Sequence, residues 1–248
     1  MPRRAPPPDE LKPTRTIRRH TAITRLTHWI NALCLALLFM SGLQIFNAHP
    51  ALYWGDISTF DSPLAAIGEF PSWAVIPSYQ DLAGGRLWHF FFAWLLVING
   101  TVYLVASMLS RHLGRDLLPT RTELHQVGHS IREHIRLRFP KGEEAKRYNV
   151  IQKLTYLAVI FGLLPLVVAT GLCMSPQLNA DFPWLPAFFG GRQSARTLHF
   201  LAAFGLFAFF AIHVAMVVAS GFWNNMRSMI TGRYAIDVGG RDADASQA

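Results

Sequence analysis

RTLHFLAAFGLFAFFAIHVAMVVAS, residues 196–220, is apolar for about 25 residues, which is long enough for a helix that crosses a bilayer. Two histidines, His199 and His213, lie 14 positions apart within it. At about 100° and about 1.5 Å per residue, they share nearly one helix face and lie roughly 21 Å apart along the axis. Ionisable residues inside a membrane span are costly and mark functional sites. The stretch therefore predicts one helix that serves two sites, one near each membrane surface.

Three further apolar segments precede this one, and the chain is 51% hydrophobic and only 15% charged. This composition is typical of a small multi-pass membrane protein. The connection between the first two segments, residues 47–85, contains four prolines and four glycines, which interrupt any long helix. We expect an all-α fold, an integral membrane four-helix bundle. The predicted spans cover residues 26–46, 87–109, 154–174 and 197–222.

The distribution of Lys and Arg predicts the orientation of the bundle. Of the 23 Lys and Arg residues, 20 lie before the first span, between the second and third spans, or after the fourth. Both termini are therefore expected on the cytoplasmic side of the membrane, with residues 47–85 and 176–195 outside. Since topology accounts for the net charge of +8, nucleic acid is not an expected partner.

The regions outside the spans have distinct compositions. We expect a disordered basic arm over residues 1–20, a bundle domain over 21–235 and a disordered tail over 236–248. Apolar residues at helical spacing predict an amphipathic cytoplasmic helix over residues 121–138. The outer connection 47–85 is long and rich in aromatic residues, which suits both an interfacial cap and a docking surface for an outer partner.

Four histidines fall at matching depths on three helices. His28 begins the first span on the cytoplasmic side, opposite the deeper His213, while His89 and His199 begin the second and fourth spans on the outer side. Imidazole is a common axial ligand of haem iron, and helix bundles build cofactor sites from facing helices. We therefore expect two haem groups, one held by His28 and His213 and the other by His89 and His199.

Other residues of the spans fit this interpretation and also have simpler ones. Three arginines each precede a histidine by three positions, where they suit haem propionates and equally suit interfacial anchoring. Gly42, Gly100, Gly171 and Gly205 allow close approach of a flat macrocycle or of a neighbouring helix. The arginines are Arg25, Arg86 and Arg196.

The chain resembles the bacterial di-haem transmembrane b-type cytochromes. The segments that carry the resemblance are TRLTHWINAL, GRLWHFFFAWLLVINGTVYL, and RTLHF with IHV. This family includes cytochrome b subunits of nickel–iron hydrogenases, the gamma subunit of formate dehydrogenase and bacterial cytochrome b561. The resemblance covers residues 15–235, and RYNVIQKLTY with GGRQSARTLHF is most similar to the thiosulfate-reductase cytochrome b group. It implies two haem b groups on the four histidines named above.

The same resemblance implies a partner and a second ligand. Members of the family pass electrons between the quinone pool and a catalytic subunit, usually outside, and Tyr148 to Lys153 match a segment that lies beside a quinone site. Asn149, Gln152 and Lys153 are thus candidates to hydrogen-bond a quinone carbonyl, or form only a polar helix start. The chain is expected not to be an enzyme on its own but the electron-transfer subunit of an oxidoreductase complex.

Three functions remain open at this stage. The first is electron transfer between quinone and a periplasmic oxidoreductase, for which a molybdopterin enzyme is the hypothesis. The second is a self-contained cytochrome b561-like quinone oxidoreductase that takes electrons from a small donor. The third is a membrane anchor or transporter without redox function, although the spans contain no Asp, Glu or Lys to continue a proton relay.

Overall fold

The four predicted spans lie in four long helices, which confirms the predicted fold class. The computed structural model describes residues 14–110, 114, 117–125, 127–135 and 149–237. The helices start four or five residues earlier than predicted, and the third and fourth end two or three residues sooner. They are α1 (Ala22–Asn47), α2 (Leu82–Leu109), α5 (Val150–Leu172) and α8 (Arg192–Ala219).

Three of the four helices begin early because polar capping residues precede the apolar runs. The side chain of Thr21 accepts a hydrogen bond from the Thr24 amide, and that of Asp81 accepts one from the Gly84 amide. Asn149 forms a full capping box with Gln152 at the start of α5. Such caps satisfy amides of the first turn that have no partner within the helix. Hydropathy alone misses these polar first turns.

The third span is not a regular α-helix throughout. Residues Val159–Leu163 form a π-helical segment directly before Leu164 and Pro165. Proline cannot donate to the helical ladder, and its ring crowds the preceding turn, so a wider turn accommodates it there. The segment leads into the last two turns of α5, which carry Val167 and Thr170.

Polar side chains lie inside the bundle, while large apolar side chains line its outside. Ser41, Gln44 and Thr170 are almost completely buried. Leu87, Phe91 and many similar residues are exposed. This arrangement suits a protein whose surroundings are hydrocarbon, because apolar residues can face lipid and polar ones need partners inside.

The outer connection packs onto the start of α8. Two short strands, β2 (Ala51–Leu52) and β3 (Ala65–Ala66), pair antiparallel within it. Thr197 Oγ1 donates to the Tyr53 carbonyl at 2.6 Å. The Gly55 amide donates to Ser194 Oγ at 2.8 Å. Gly191 directly precedes α8 at φ +109°, with no room for a Cβ against Gly55. The aromatic connection therefore forms a fixed cap at this end of the bundle.

Two regions that were expected to be disordered form a strand pair instead. β1 (Thr14–Arg18) pairs antiparallel with β4 (Arg233–Asp237), so disorder is wrong for residues 14–18 and for 236 and 237. Backbone pairing with the opposite end of the chain orders both segments, and a local composition argument does not see this pairing. A short helix, α9 (Phe222–Thr231), precedes β4. The rest of the predicted arm before residue 14, and of the tail after 237, lies outside the described residues.

The predicted amphipathic helix over 121–138 is described in two parts, α3 (Arg121–His125) and α4 (Val127–Ile135). It is tied to α5 by an ion pair, in which Lys153 Nζ lies 2.9 and 3.0 Å from the two carboxylate oxygens of Glu123. This hydrogen bond is the main reason that the pKa of Glu123 lies below its usual value. The short helices α6 (Pro176–Asp181) and α7 (Trp184–Phe188) complete the fold.

Candidate functional site

The helix packing brings the four predicted histidines together as two pairs. The ring centres of His28 and His213 are 6.2 Å apart, with the ring planes at 54°. Those of His89 and His199 are 6.1 Å apart, at 62°. Each pair joins α8 to a different helix, α1 in one case and α2 in the other. These are the two pairings that depth along the sequence predicts.

The two pairs are well separated along the bundle. In α8, His199 and His213 are 14 residues apart, or about 21 Å by helix rise. In α1, His28 and Ser41 are 13 residues apart, or about 20 Å, and Ser41 contacts His89 of the other pair. Two different helices thus give the same axial separation. The pair formed by His28 and His213 is called the inner pair below, and that formed by His89 and His199 the outer pair.

In the outer pair, each imidazole is held by the helix behind it. His199 Nδ1 lies 2.9 Å from the Val167 carbonyl oxygen and 3.2 Å from Thr170 Oγ1. Thr170 Oγ1 itself donates to the Leu166 carbonyl at 2.6 Å, so it is left to accept from the imidazole. Nδ1 therefore carries the proton, and Nε2 is the ring nitrogen left as a ligand.

His89 is held in the same way by α1. Its Nδ1 lies 3.1 Å from Ser41 Oγ, and Ser41 Oγ donates to the Leu37 carbonyl at 2.7 Å. A partner on the far ring nitrogen orients a metal-bound histidine and sets its tautomer. Both histidines of the outer pair thus have the hydrogen bonds of a prepared ligand.

A glycine follows each of these hydroxyl residues and lies against the imidazole. A Cβ added at Gly42 would lie 3.4 Å from His89 Cε1, and one added at Gly171 would lie 3.3 Å from His199 Cε1. The dipeptides Ser41-Gly42 and Thr170-Gly171 are therefore equivalent supports on two helices. A larger residue at either glycine would push on the ring that the hydroxyl positions.

The inner pair has a different environment. Phe209 stacks against His213, with ring centres 5.8 Å apart and 25° between the planes. His28 Nδ1 is buried and has no hydrogen-bond partner among the described residues. A buried polar atom without a partner calls for an explanation, and an absent ligand or water molecule is a common one.

The spacing in both pairs fits a metal ion between the rings. A metal–imidazole bond is about 2.0–2.1 Å, and its nitrogen lies roughly 1.2 Å from the ring centre, so two opposed ligands have ring centres about 6.4 Å apart. The observed values of 6.2 and 6.1 Å are close to this. The described residues contain no cluster of three or more His, Cys, Asp or Glu side chains that could hold a metal ion. Two axial nitrogens without further protein ligands suit an iron whose other four positions belong to a porphyrin.

The three predicted propionate arginines have different surroundings. Arg196 donates to the carbonyls of Ala51 and His49, at 2.7 and 2.5 Å, and so anchors the outer connection. Arg25 donates to the Ile230 carbonyl at the end of α9. The guanidinium of Arg86 lies over the Phe90 ring, at 5.8 Å from its centre.

The predicted quinone residues lie together at the start of α5. Asn149 Oδ1 accepts from the Ile151 amide at 3.1 Å, and Gln152 Oε1 accepts from the Asn149 amide at 3.2 Å. These bonds leave the two side-chain NH₂ groups as donors. The ammonium of Lys153 is engaged with Glu123. Tyr148, the first residue of the matched segment, lies outside the described residues.

Comparison with known proteins places this arrangement in a family. The family model of the prokaryotic cytochrome b561 proteins matches residues 19–232, which is most of the chain and includes all four histidines. The protein therefore belongs to the prokaryotic cytochrome b561 family. It is a multi-pass protein of the bacterial inner membrane, and haem b is the cofactor of this family.

Two relatives extend the comparison. The chain is 29% identical over 198 residues to YedZ1 of Azospira oryzae, named as a protein-methionine-sulfoxide reductase subunit, and the match covers 80% of this chain and 89% of YedZ1. It is 30% identical over 186 residues to YdhU of Escherichia coli K12, named as a cytochrome, which covers 75% of this chain and 61% of YdhU. Both names are provisional, and this chain spans less than two thirds of YdhU.

Sequence reasoning missed the two hydroxyl residues that hold the outer pair. Ser41 and Thr170 were not singled out, although the glycine after each of them was. A small hydroxyl residue followed by glycine occurs near the outer end of both the first and the third span. That shared dipeptide is the signal from which both supports could have been found.

Proposed function

We propose that this protein is a di-haem electron-transfer subunit that connects the membrane quinone pool to the catalytic subunit of a periplasmic oxidoreductase. The observation that carries the proposal is the presence of two histidine pairs, each with the ring spacing of opposed axial ligands, about 20 Å apart along one bundle. When bound, each haem b supplies an iron that takes up and releases one electron.

The chain's own residues determine how each site works in this proposal. His28 and His213 would hold the inner haem, and His89 and His199 the outer one. A haem held by two imidazoles would suit electron transfer rather than oxygen activation. Ser41 and Thr170 contact Nδ1 of the two outer imidazoles, which leaves Nε2 of each ring as the possible ligand.

Arg86 is the best-supported of the three propionate arginines. The other two, Arg25 and Arg196, already donate to backbone carbonyls in the described part of the chain. Arg86 lies one turn from His89, with its guanidinium against an aromatic face. A guanidinium in that position can pair with a carboxylate at the membrane surface.

A quinone site at the start of α5 also forms part of the proposal. The side-chain amides of Asn149 and Gln152 each retain an NH₂ group that can donate to a quinone carbonyl. Lys153 has a supporting role, since its ammonium fixes α3 to α5 through Glu123. The site would then be bounded by the polar start of α5 and by α3, which Lys153 and Glu123 join.

Exposed aromatic residues support a protein partner at the outer cap. Trp54, Trp73, Trp184 and Phe188 lie outside the four long helices and are between 59% and 81% exposed. Aromatic residues are enriched at protein interfaces. The relative YedZ1 is named as a subunit of a reductase, which agrees with a separate catalytic subunit. A molybdopterin enzyme is the type of partner that we propose.

The test uses the purified, haem-loaded protein without its partner. A reduced quinol is added anaerobically to the oxidised protein, and a quinone is added to the dithionite-reduced protein, while the b-type absorption band is followed. We expect rapid electron exchange in at least one direction, and its loss in the variant that carries Asn149→Ala and Gln152→Ala. A protein that dithionite reduces but that exchanges with neither quinol nor quinone would contradict the proposal.

A further inference from the structure

The helix α9, which follows the fourth span, exposes two large apolar side chains and buries a serine. Trp223 and Ile230 are 81% and 61% exposed, and Arg227 lies between them at positions i, i+4 and i+7. On the opposite side, Ser228 is 1% exposed. A helix that presents Trp and Ile outward beside the end of a membrane span has the pattern of one that lies in the membrane interface.

The protein holds α9 firmly in this orientation. The side chain of Asn224 donates to the Ala235 carbonyl at 2.8 Å and accepts from the Ala235 amide at 2.9 Å. Trp29 Nε1 of α1 donates to the Met229 carbonyl at 3.1 Å, and Arg25 donates to the carbonyl of Ile230. The exposed apolar face is therefore a fixed feature of the fold.

Beside this face lies a depression of about 440 Å³ that is lined by two arginines and two hydroxyl residues. Arg227 and Thr231 come from α9, Arg233 comes from β4, and Thr16 comes from β1. Five guanidinium donors on each arginine and two hydroxyl donors suit the oxygens of a phosphate group.

Within the described side chains, the arginines at this depression have no anionic partner. Arg18 pairs directly opposite Arg233 in the strand ladder, an arrangement in which like charges repel. Arg227 donates to the neutral amide oxygen of Asn224 at 3.0 Å. Among the residues whose side chains the structure describes, no carboxylate forms an ion pair with any of these three arginines. A bound anion would relieve the repulsion.

We propose that this depression binds the headgroup of an anionic phospholipid, with the acyl chains lying along the exposed face of α9. The arginines of the depression suit an anionic headgroup, and the fixed Trp223 and Ile230 beside it suit apolar acyl chains. A phospholipid accounts for both features together. A free phosphate accounts for the arginines alone. This inference does not depend on the proposed electron-transfer function.

The test is native mass spectrometry of the full-length, haem-loaded protein titrated with phosphatidylglycerol, phosphatidylcholine or glycerol phosphate. Each cation near a membrane surface contributes a factor of about five in affinity, so Arg227→Gln with Arg233→Gln is expected to weaken phosphatidylglycerol binding by about 25-fold. The matched control replaces two exposed arginines of α3 and α4, Arg121→Gln with Arg132→Gln, and is expected to change it by less than about threefold.

A third variant separates the lipid from a free phosphate. Trp223→Ala keeps the arginines, so it is expected to weaken binding of phosphatidylglycerol while leaving that of glycerol phosphate unchanged. The proposal is overturned if phosphatidylcholine binds as tightly as phosphatidylglycerol, or if the control variant loses as much affinity. It is also overturned if glycerol phosphate competes at equal concentration and Trp223→Ala has no effect on the lipid.

Discussion

The hydroxyl of Thr170 is expected to tune the redox potential of the outer haem. Its oxygen lies 3.2 Å from His199 Nδ1 and accepts the proton of that nitrogen. A hydrogen bond that withdraws this proton makes the imidazole a stronger electron donor and favours the oxidised iron. Thr170→Val removes the hydroxyl at nearly constant volume, so the potential of one haem should rise.

The size of the change follows from the bonds that remain. A neutral hydrogen bond contributes roughly 0.5–1.5 kcal/mol net, and the Val167 carbonyl, 2.9 Å from Nδ1, keeps part of this interaction. If the lost hydrogen bond stabilises the oxidised haem over the reduced one by about 0.5–1 kcal/mol, its removal raises the potential of the one-electron couple by about 20–40 mV. Thr170→Ser keeps the hydroxyl and should stay near the wild-type value.

Spectroelectrochemical titration of the purified protein resolves the two haem potentials and measures this change. Thr155→Val is the matched control, because Thr155 lies on the same helix and donates to the Ile151 carbonyl at 2.8 Å but contacts no histidine in the described structure. The reasoning is refuted if Thr155→Val shifts a potential as much as Thr170→Val, if Thr170→Val lowers the potential, or if both haems shift equally.

Three further predictions test other parts of the account. His199→Ala should remove the outer haem and retain the inner one, so the haem content measured by pyridine haemochrome should fall by half; an unchanged content would exclude this ligand. Gly171→Val should crowd the His199 ring and lower haem content, whereas Gly100→Val, which has open space around it, should not, and equal losses would contradict the packing argument. Glu123→Gln leaves the buried Lys153 ammonium without its anion. Because the carboxylate is partly exposed, the free energy of unfolding should fall by roughly 1–2 kcal/mol, which lowers the Tm measured by fluorescence by about 2–8 °C. An unchanged Tm would show that the ion pair is not stabilising.

The main fold was predictable from the sequence because the signals are local. An apolar run of about 20 residues predicts a membrane helix wherever it occurs, and the 14-residue spacing of His199 and His213 follows from helix geometry alone. Depth along each span, together with the excess of Lys and Arg, was enough to match His28 with His213 and His89 with His199. The structure places these same rings about 6 Å apart. Their role as haem ligands stays a prediction.

Most of the features that were not predicted depend on contacts between distant parts of the chain. The pairing of residues 14–18 with 233–237 joins segments more than 200 positions apart, and neither segment has a pattern of its own that indicates a strand. Lys153 was considered only as a quinone residue, because its pairing with Glu123 depends on how the connection between the second and third spans folds back. The capping residues lie outside the hydropathy signal, so the helix starts were placed too late.

The most direct test of the central claim is the haem content of the intact protein. Purified protein in detergent, assayed by pyridine haemochrome against a protein concentration from amino-acid analysis, should contain two haem b groups per chain with a reduced b-type spectrum. One haem per chain would mean that one of the two histidine pairs has another role. A folded preparation with no haem would contradict the account as a whole.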